Sequence, residues 1–447
     1  RNKTLKEATI TSSASAPYDL SLHDHNGNTT LRNTANSYLI SAPGHYRIPL
    51  VYGNAIENGV TYDKSYISHA AAGNSYVLYN FQDHAGHNID NPWIEKTNSG
   101  ANASVDGAEV VWADAANLVS SLSIAHDGGN AFLDFEVKES DIQSGNAVVA
   151  VKKGSTVVWS WHLWFAPKDA LDKIPVTNHQ GVVYNFTKEA LGWKPTQWSS
   201  TTYTSARTVK VKVEQTGSKQ ITVINITQNP FNVRKGATTF YQFGRKDAFP
   251  GVASSALAAN SHFTENAGDN MSIMNGILNP DKFYTWGSNW QNRYSYYNLW
   301  SADNTVTGDF DQGNDNPVVK TVYDPCPAGF KMPANNAFTG FTTTGLNSTS
   351  QSEMNVDGTD NGQQWTNNFG HNFWTNSSKT ATINFPASGL RSGSDGSLNY
   401  VGYNGYYTSA VPSDVYNGCL QILSLSSVSP LNIGNRTVGF AARPVSE

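Results

Sequence analysis

The stretch Tyr323–Pro333 leaves this chain fewer choices than any other part of it. It reads Tyr-Asp-Pro-Cys-Pro-Ala-Gly-Phe-Lys-Met-Pro and sets Pro325, Pro327 and Pro333 around Gly329. Each proline fixes φ and lacks a backbone donor. The residue before each proline is pushed out of the helical region. The segment therefore fits neither a helix nor the middle of a sheet. It predicts a stiff extended corner, with aromatic-rich sequence before it and Gly/Asn/Tyr-rich sequence after it.

Upstream, the dominant pattern has period two. Strands are predicted over Glu109–Trp112, Val119–Ile124, Ala131–Val137, Ala147–Lys152 and Thr156–Phe165. In the last of these, Trp159, Trp161 and Leu163 share one face, and His162 and Trp164 the other. A strand heavy on both faces is expected at the centre of a sheet. Two strand-like runs flank Pro43-Gly44 and predict a hairpin over Asn36–Leu50. Val209–Gln215 alternates strictly, turns at Gly217 and returns over Ile221–Gln228, a hairpin expected to close the sandwich. Short strands broken by Gly and Asn point to a β-sandwich.

After Asn229-Pro230 the pattern changes to aromatic loops. Short helices are expected near Ala253–Ala259 and Ser272–Leu278. Strands are expected near Gly389, Gly405–Thr408, Cys419–Leu425 and Thr437–Arg443. At 447 residues the chain exceeds one comfortable core, so two or three domains are expected. The expectation is a mainly β protein. An N-terminal β-sandwich occupies residues 1–234, and a loop-rich α+β domain occupies 235–447. The second is C-type-lectin-like by analogy of fold alone.

Composition narrows the function. Charged residues make up 15 % of the chain and aromatics 12 %, where charged residues usually reach about 25 %. That balance suits a neutral, polar, extracellular surface. The net charge of −5 and the lack of a basic stripe argue against nucleic acid. Apolar runs such as Ala147–Val151 fall far short of the ~20 residues of a membrane-spanning helix. The sequence holds no phosphate-binding loop, nucleophile elbow, H-E-x-x-H or C-x-x-C, so no enzyme is expected. Cys326 and Cys419 are the only cysteines. They form either one bridge, which an oxidising compartment allows, or two buried thiols.

The candidate binding residues lie in an aromatic run. Tyr284, Trp286, Trp290, Tyr294, Tyr296, Tyr297 and Trp300 are interleaved with Asn289, Gln291, Asn292 and Arg293. Aromatic faces stack on the apolar faces of sugars while amides read hydroxyls, so this mixture suits a glycan. The same rings are also what a loop-rich domain needs for a core. Trp290, Arg293 and Tyr296, beside Asn289 and Asn292, are the expected exposed contacts, with Trp286 and Trp300 as anchors. Tyr400, Tyr403, Tyr406 and Tyr407 form a second patch with the same ambiguity. No resident cofactor is required. Calcium, with oxygen ligands, would use Asp309, Asp311 and Asp315, or the loop at Asn355–Asn361. The competing reading there is turn chemistry. His84 and His87 beside Asp83, and His23 and His25 beside Asp24, read better as polar loops than as zinc ligands.

The corner, followed in order by Asn384–Arg391, Gly396–Tyr407 and Gly439–Arg443, resembles the Fibrobacter succinogenes major paralogous domain. That is a secreted Bacteroidetes module common at the C-terminus of fimbrillin-family proteins. Asn36–Asn54 resembles a segment of Bacteroidales fimbrillin-like surface proteins. The resemblance implies a non-enzymatic tip or accessory subunit of a type V pilus, exported as a lipoprotein and processed by an arginine-directed protease. Its location would be the cell surface, associated with the outer membrane in a fimbrium. Its partners would be other pilus subunits, joined by strand exchange, and a host or bacterial surface ligand such as a carbohydrate. Relatives often carry Arg-Cys after the Gly-Phe motif, whereas here Arg443 precedes Pro444. Cys419 is then the one partner left for Cys326. A glycan-binding surface lipoprotein outside any pilus, and an enzyme of unrecognised type, remain open as alternatives.

Overall fold

A computed structural model describes residues 1–70, 75–196, 207–228, 236–290, 296–304, 315–357, 370–413, 416–423 and 427–447. The chain is mainly β. One four-stranded sheet runs in the order Ser37–Ile40, Thr156–Phe165, Gly145–Lys153, Gly107–Ala113. A second runs Tyr18–Asp19, Gly44–Pro49, Asn130–Val137, Ser120–Asp127. Trp161, Leu163 and Val149 from the first join Ile48, Leu133 and Phe135 from the second in one apolar cluster. Thr156–Phe165 lies inside its sheet and is buried from Val157 to Phe165. This is what its double-sided apolar pattern predicts.

Asn36–Leu50 is not a hairpin. Ser37–Ile40 pairs in parallel with the Trp strand, matching Tyr38 with Leu163. Gly44–Pro49 pairs with Asn130–Val137 in the other sheet, matching Tyr46 with Phe135. Pro43-Gly44 therefore carries the chain between sheets. A turn signal specifies a change of direction, while the return strand joins whichever neighbour buries more apolar surface.

The expected division at 234/235 does not divide the core. Lys173–Thr177 and Val183–Thr187 share a sheet with Phe330–Lys331 and the C-terminal Val445–Ser446. Val176 and Phe186 pack with Phe338, Phe385 and Tyr407. Downstream of this line, Phe240–Tyr241, Phe440–Ala441, Asn404–Ser413, Tyr416–Leu423 and Ser427–Asn435 form a five-stranded sheet.

The proline corner is the main link between the two halves. Only Phe330–Lys331 of its extended backbone joins a ladder, so the carbonyls before it need other partners. Asn36 Nδ2 donates to the carbonyls of Val322 at 2.7 Å and Asp324 at 2.8 Å. Ser37 Oγ donates to Pro325 at 2.5 Å, Lys320 Nζ to Pro327 at 2.9 Å and Trp300 Nε1 to Tyr323 at 3.0 Å. The Asp324 carboxylate accepts the backbone N–H of Cys326 at 2.7 Å and of Met332 at 2.9 Å. Cys326 is a free thiol at the centre of this packing. The expected bridge to Cys419 is therefore absent. Burial pushes the Cys326 thiol well above its ordinary pKa.

The second predicted hairpin forms, with Val211 opposite Ile224. It does not close the sandwich. Arg207–Glu214 and Ile221–Gln228 make a two-stranded sheet of their own, with Val209 63 % and Ile226 59 % exposed.

Candidate functional site, an exposed aromatic face

The short hairpin Leu390–Arg391 with Leu398–Asn399 carries the face. Beneath it the Arg391 guanidinium is fully buried. Its Nε donates to the Pro250 carbonyl at 2.7 Å, Nη1 to Gly396 at 2.6 Å and Nη2 to Val252 at 2.9 Å. The guanidinium also lies 4.7 Å from the centre of the Phe263 ring. Burial lowers its pKa to about 10, and three carbonyls at once hold the hairpin in one place.

Trp286 stands at one end of this hairpin. Its backbone N–H donates to Gly393 at 2.6 Å. Asp269 holds the next turn, accepting the Asn289 backbone N–H at 3.1 Å. A side chain at Gly287 would run into the Asp269 carboxylate, with a Cβ 2.2 Å from Oδ2. Tyr400 follows the other end. Its φ of +60° is a conformation that bulky residues adopt at a cost of about 1 kcal/mol. Backbone N–H groups of Tyr403 and Asn404 both donate to its carbonyl at 2.9 Å and fix it there. Trp286 is 61 % exposed, Tyr400 55 % and Tyr403 72 %. Ser394, Asp395 and Asn399 lie exposed between them.

The residues expected from the sequence divide differently. Trp290, expected to be exposed, is 2 % exposed and packs with Met271 and Tyr284. Trp286, expected to be an anchor, is open instead, while Trp300 is the buried anchor it was expected to be. Tyr296 is half-buried and Asn289 is exposed. Arg293 and Asn292 lie outside the described residues. Of the second tyrosine patch, Tyr406 and Tyr407 are buried and Tyr400 and Tyr403 are not. Trp290 and Tyr296 line a cavity of ≈30 Å³. That space suits one or two waters and no sugar.

The same cavity is walled by Arg245, Lys246 and Asp247. Lys246 Nζ lies 2.5 Å from Ser160 Oγ and 2.6 Å from Asp247 Oδ1, above the Trp159 ring. Burial lowers the Lys246 pKa. A serine, a lysine and a carboxylate in contact could activate a nucleophile, but all three are buried and the cavity admits no substrate. They join the Trp strand to the segment after residue 240.

Of the first calcium candidate, only Asp315 lies among the described residues. Asp315 accepts Tyr184 Oη at 2.5 Å, Asn178 Nδ2 at 2.9 Å and Asn336 Nδ2 at 3.2 Å. Asp309 and Asp311 lie outside the described residues, as does most of Asn355–Asn361. Asp83 is buried and caps its own turn, accepting the backbone N–H groups of Ala85 and His87. His23 stacks on Tyr18 and lines, with Asp24 and His25, a cleft of ≈260 Å³ beside Pro327–Gly329. Among the described residues no three His, Cys, Asp or Glu side chains converge as metal ligands.

Comparison with protein-family models, with curated proteins and with solved structures finds no match.

Proposed function

We propose that this protein is a cell-surface adhesin that binds a glycan through Trp286, Tyr400 and Tyr403. The observation that carries this reading is the exposure of three aromatic rings on turns held by hydrogen bonds, at the ends of a hairpin fixed from beneath by the buried Arg391. Exposed rings forfeit the few kcal/mol that burial would bring each of them, and Tyr400 keeps a strained backbone as well. Strain held at an exposed position is the pattern of a site more than of a core. Trp286 meets the hairpin at its turn, through Gly393, and Tyr400 follows its second strand directly after Asn399. Aromatic platforms at the two ends of the hairpin suit the apolar faces of sugar rings, with Ser394, Asp395 and Asn399 exposed on the hairpin to meet hydroxyls. Rigid aromatics bind with little loss of side-chain entropy. The resemblance to fimbrillin-family proteins supports a pilus tip or accessory subunit as the setting of such a site, with other subunits as partners.

The test is a glycan and matrix-protein array probed with the full chain and with W286A/Y403A. The double variant should lose binding while its melting temperature stays within about a degree, since exposed positions contribute little to stability. The control Trp290→Ala should instead lower the melting temperature by several degrees. Undiminished binding by W286A/Y403A would refute the site.

A further inference from the structure

We propose that the arm formed by Arg207–Glu214 and Ile221–Gln228 is an association element that lays its apolar face on the body of a second copy of this chain. The inference stands on its own observations and does not depend on the adhesion reading. The register places Val209, Val211 and Val213 opposite Ile226, Ile224 and Thr222 on one face. The other face carries Thr208, Lys210, Lys212 and Glu214 paired with Thr227, Asn225, Val223 and Ile221, so it mixes the arm's charges with two further exposed apolar side chains. Val209, Val211, Val213, Ile224 and Ile226 are all exposed. An isolated two-stranded hairpin is marginal in water, and a contiguous apolar face of this kind marks an interaction surface. The arm's two outer edges also leave backbone groups open to further pairing.

Charge selects the occupant. Arg207, Lys210, Lys212 and Lys219 against Glu214 give the arm +3, and since the whole chain carries −5, the remainder carries −8. A basic arm and an acidic body in one molecule are complementary between two copies. Two arms facing each other would set like charges together. A membrane is the poorer fit, because these strands have eight residues each and a membrane-spanning strand needs about 9–11. Eight residues make a strand about 27 Å long, so one arm alone covers less than the roughly 800 Å² per partner of a stable interface. Reciprocal exchange, each copy giving one arm and receiving one about a two-fold axis, doubles that contact.

Sedimentation velocity on the full chain across a concentration series, at low and high salt, tests this. The wild type should dimerise, more weakly at high salt. V211N/I224N should remain monomeric with the melting of the body unchanged, because among the described residues no arm side chain belongs to a buried cluster. K210E/K212E keeps the apolar face and should dimerise at least about tenfold more weakly, the effect of losing one close charge pair. A wild type that is monomeric throughout would overturn the proposal. So would V211N/I224N dimerising as tightly as the wild type, or a monomeric wild type that floats with anionic phosphatidylglycerol vesicles.

Discussion

The Trp strand Thr156–Phe165 and the arm Arg207–Gln228 begin from the same kind of sequence and end in opposite surroundings. Both are extended runs rich in β-branched and bulky residues, the first apolar on both faces and the second strictly alternating along Val209–Val213. In the first, Trp159, Trp161, Trp164 and Leu163 are completely or almost completely buried, and the neighbouring strands pair along its length. In the second, the valines and isoleucines meet water. The period places side chains on faces, and a neighbour has to arrive before a face is buried. The Trp strand carries polar groups that only a buried setting explains. His162 touches Ser37, Tyr241 and Asn146, and Ser160 meets Asp247 and Lys246. Among the described residues, the arm carries no buried polar side chain. Its Lys212 and Lys219 pair loosely with Glu214 at 3.9 and 3.6 Å.

The widest separation between the two should come from truncating a ring. Trp159→Ala removes a side chain that packs on Tyr52 and Tyr323 and donates to Asn36 Oδ1 at 3.1 Å. It should cost about 3–5 kcal/mol in chemical denaturation. A loss below about 1 kcal/mol would place the strand's packing in doubt. Asp247→Ala is the next largest, at about 3 kcal/mol, because it leaves the charges of Lys246 and Arg245 buried without their carboxylate. Replacing Lys246 with Met as well should recover part of that loss, and a failure to recover would show that the charge is not the cause.

A pH series separates the regions more finely. Burial holds the His162 pKa down at about 3, against an ordinary value of 6.5. The folded state therefore keeps this imidazole neutral while the unfolded state takes up a proton. The stabilisation is present in full above about pH 6.5 and is lost progressively toward pH 3, by about 1.4 kcal/mol per pH unit. His162→Gln should flatten the wild-type slope in that window, and an identical slope in both proteins would assign the acid sensitivity elsewhere. The smallest effect belongs to the arm. Val211→Thr should change stability by no more than about 0.5 kcal/mol at concentrations where the protein is monomeric. A larger loss would mean that the arm leans on its own body.

Part of the site was legible in the sequence, and part was not. The run Tyr284–Trp300 announced itself by its aromatics, and Trp300 is the anchor it was expected to be. Trp286 and Trp290 exchange the roles expected of them. Each sits among Gly, Ser and Asn, so local composition cannot tell them apart. What separates them is a turn pinned by Asp269 and Gly393 on one side and the Met271–Tyr284 cluster on the other. Arg391 was recognised as part of a motif, but its burial under three carbonyls depends on Pro250 and Val252, some 140 residues earlier.

By itself the sequence determined the elements whose causes are local. Alternation made Thr156–Phe165 and both strands of the arm extended, because side chains of a strand point to opposite faces in turn. Three prolines made Tyr323–Pro333 a corner, because proline fixes φ and donates nothing. The Ser272 side chain caps the helix Ile273–Leu278 by accepting the Asn275 N–H, as local chemistry dictates. Tertiary structure decided which strands met and which faces were covered. It sent Ser37–Ile40 and Gly44–Pro49 to different sheets, joined Phe186 to Val445, kept the Cys326 thiol free and left the arm uncovered. Those outcomes depend on apolar area removed from water by residues far apart in the chain. That gain is non-directional and scales with area, so no local pattern specifies which distant surface will supply it.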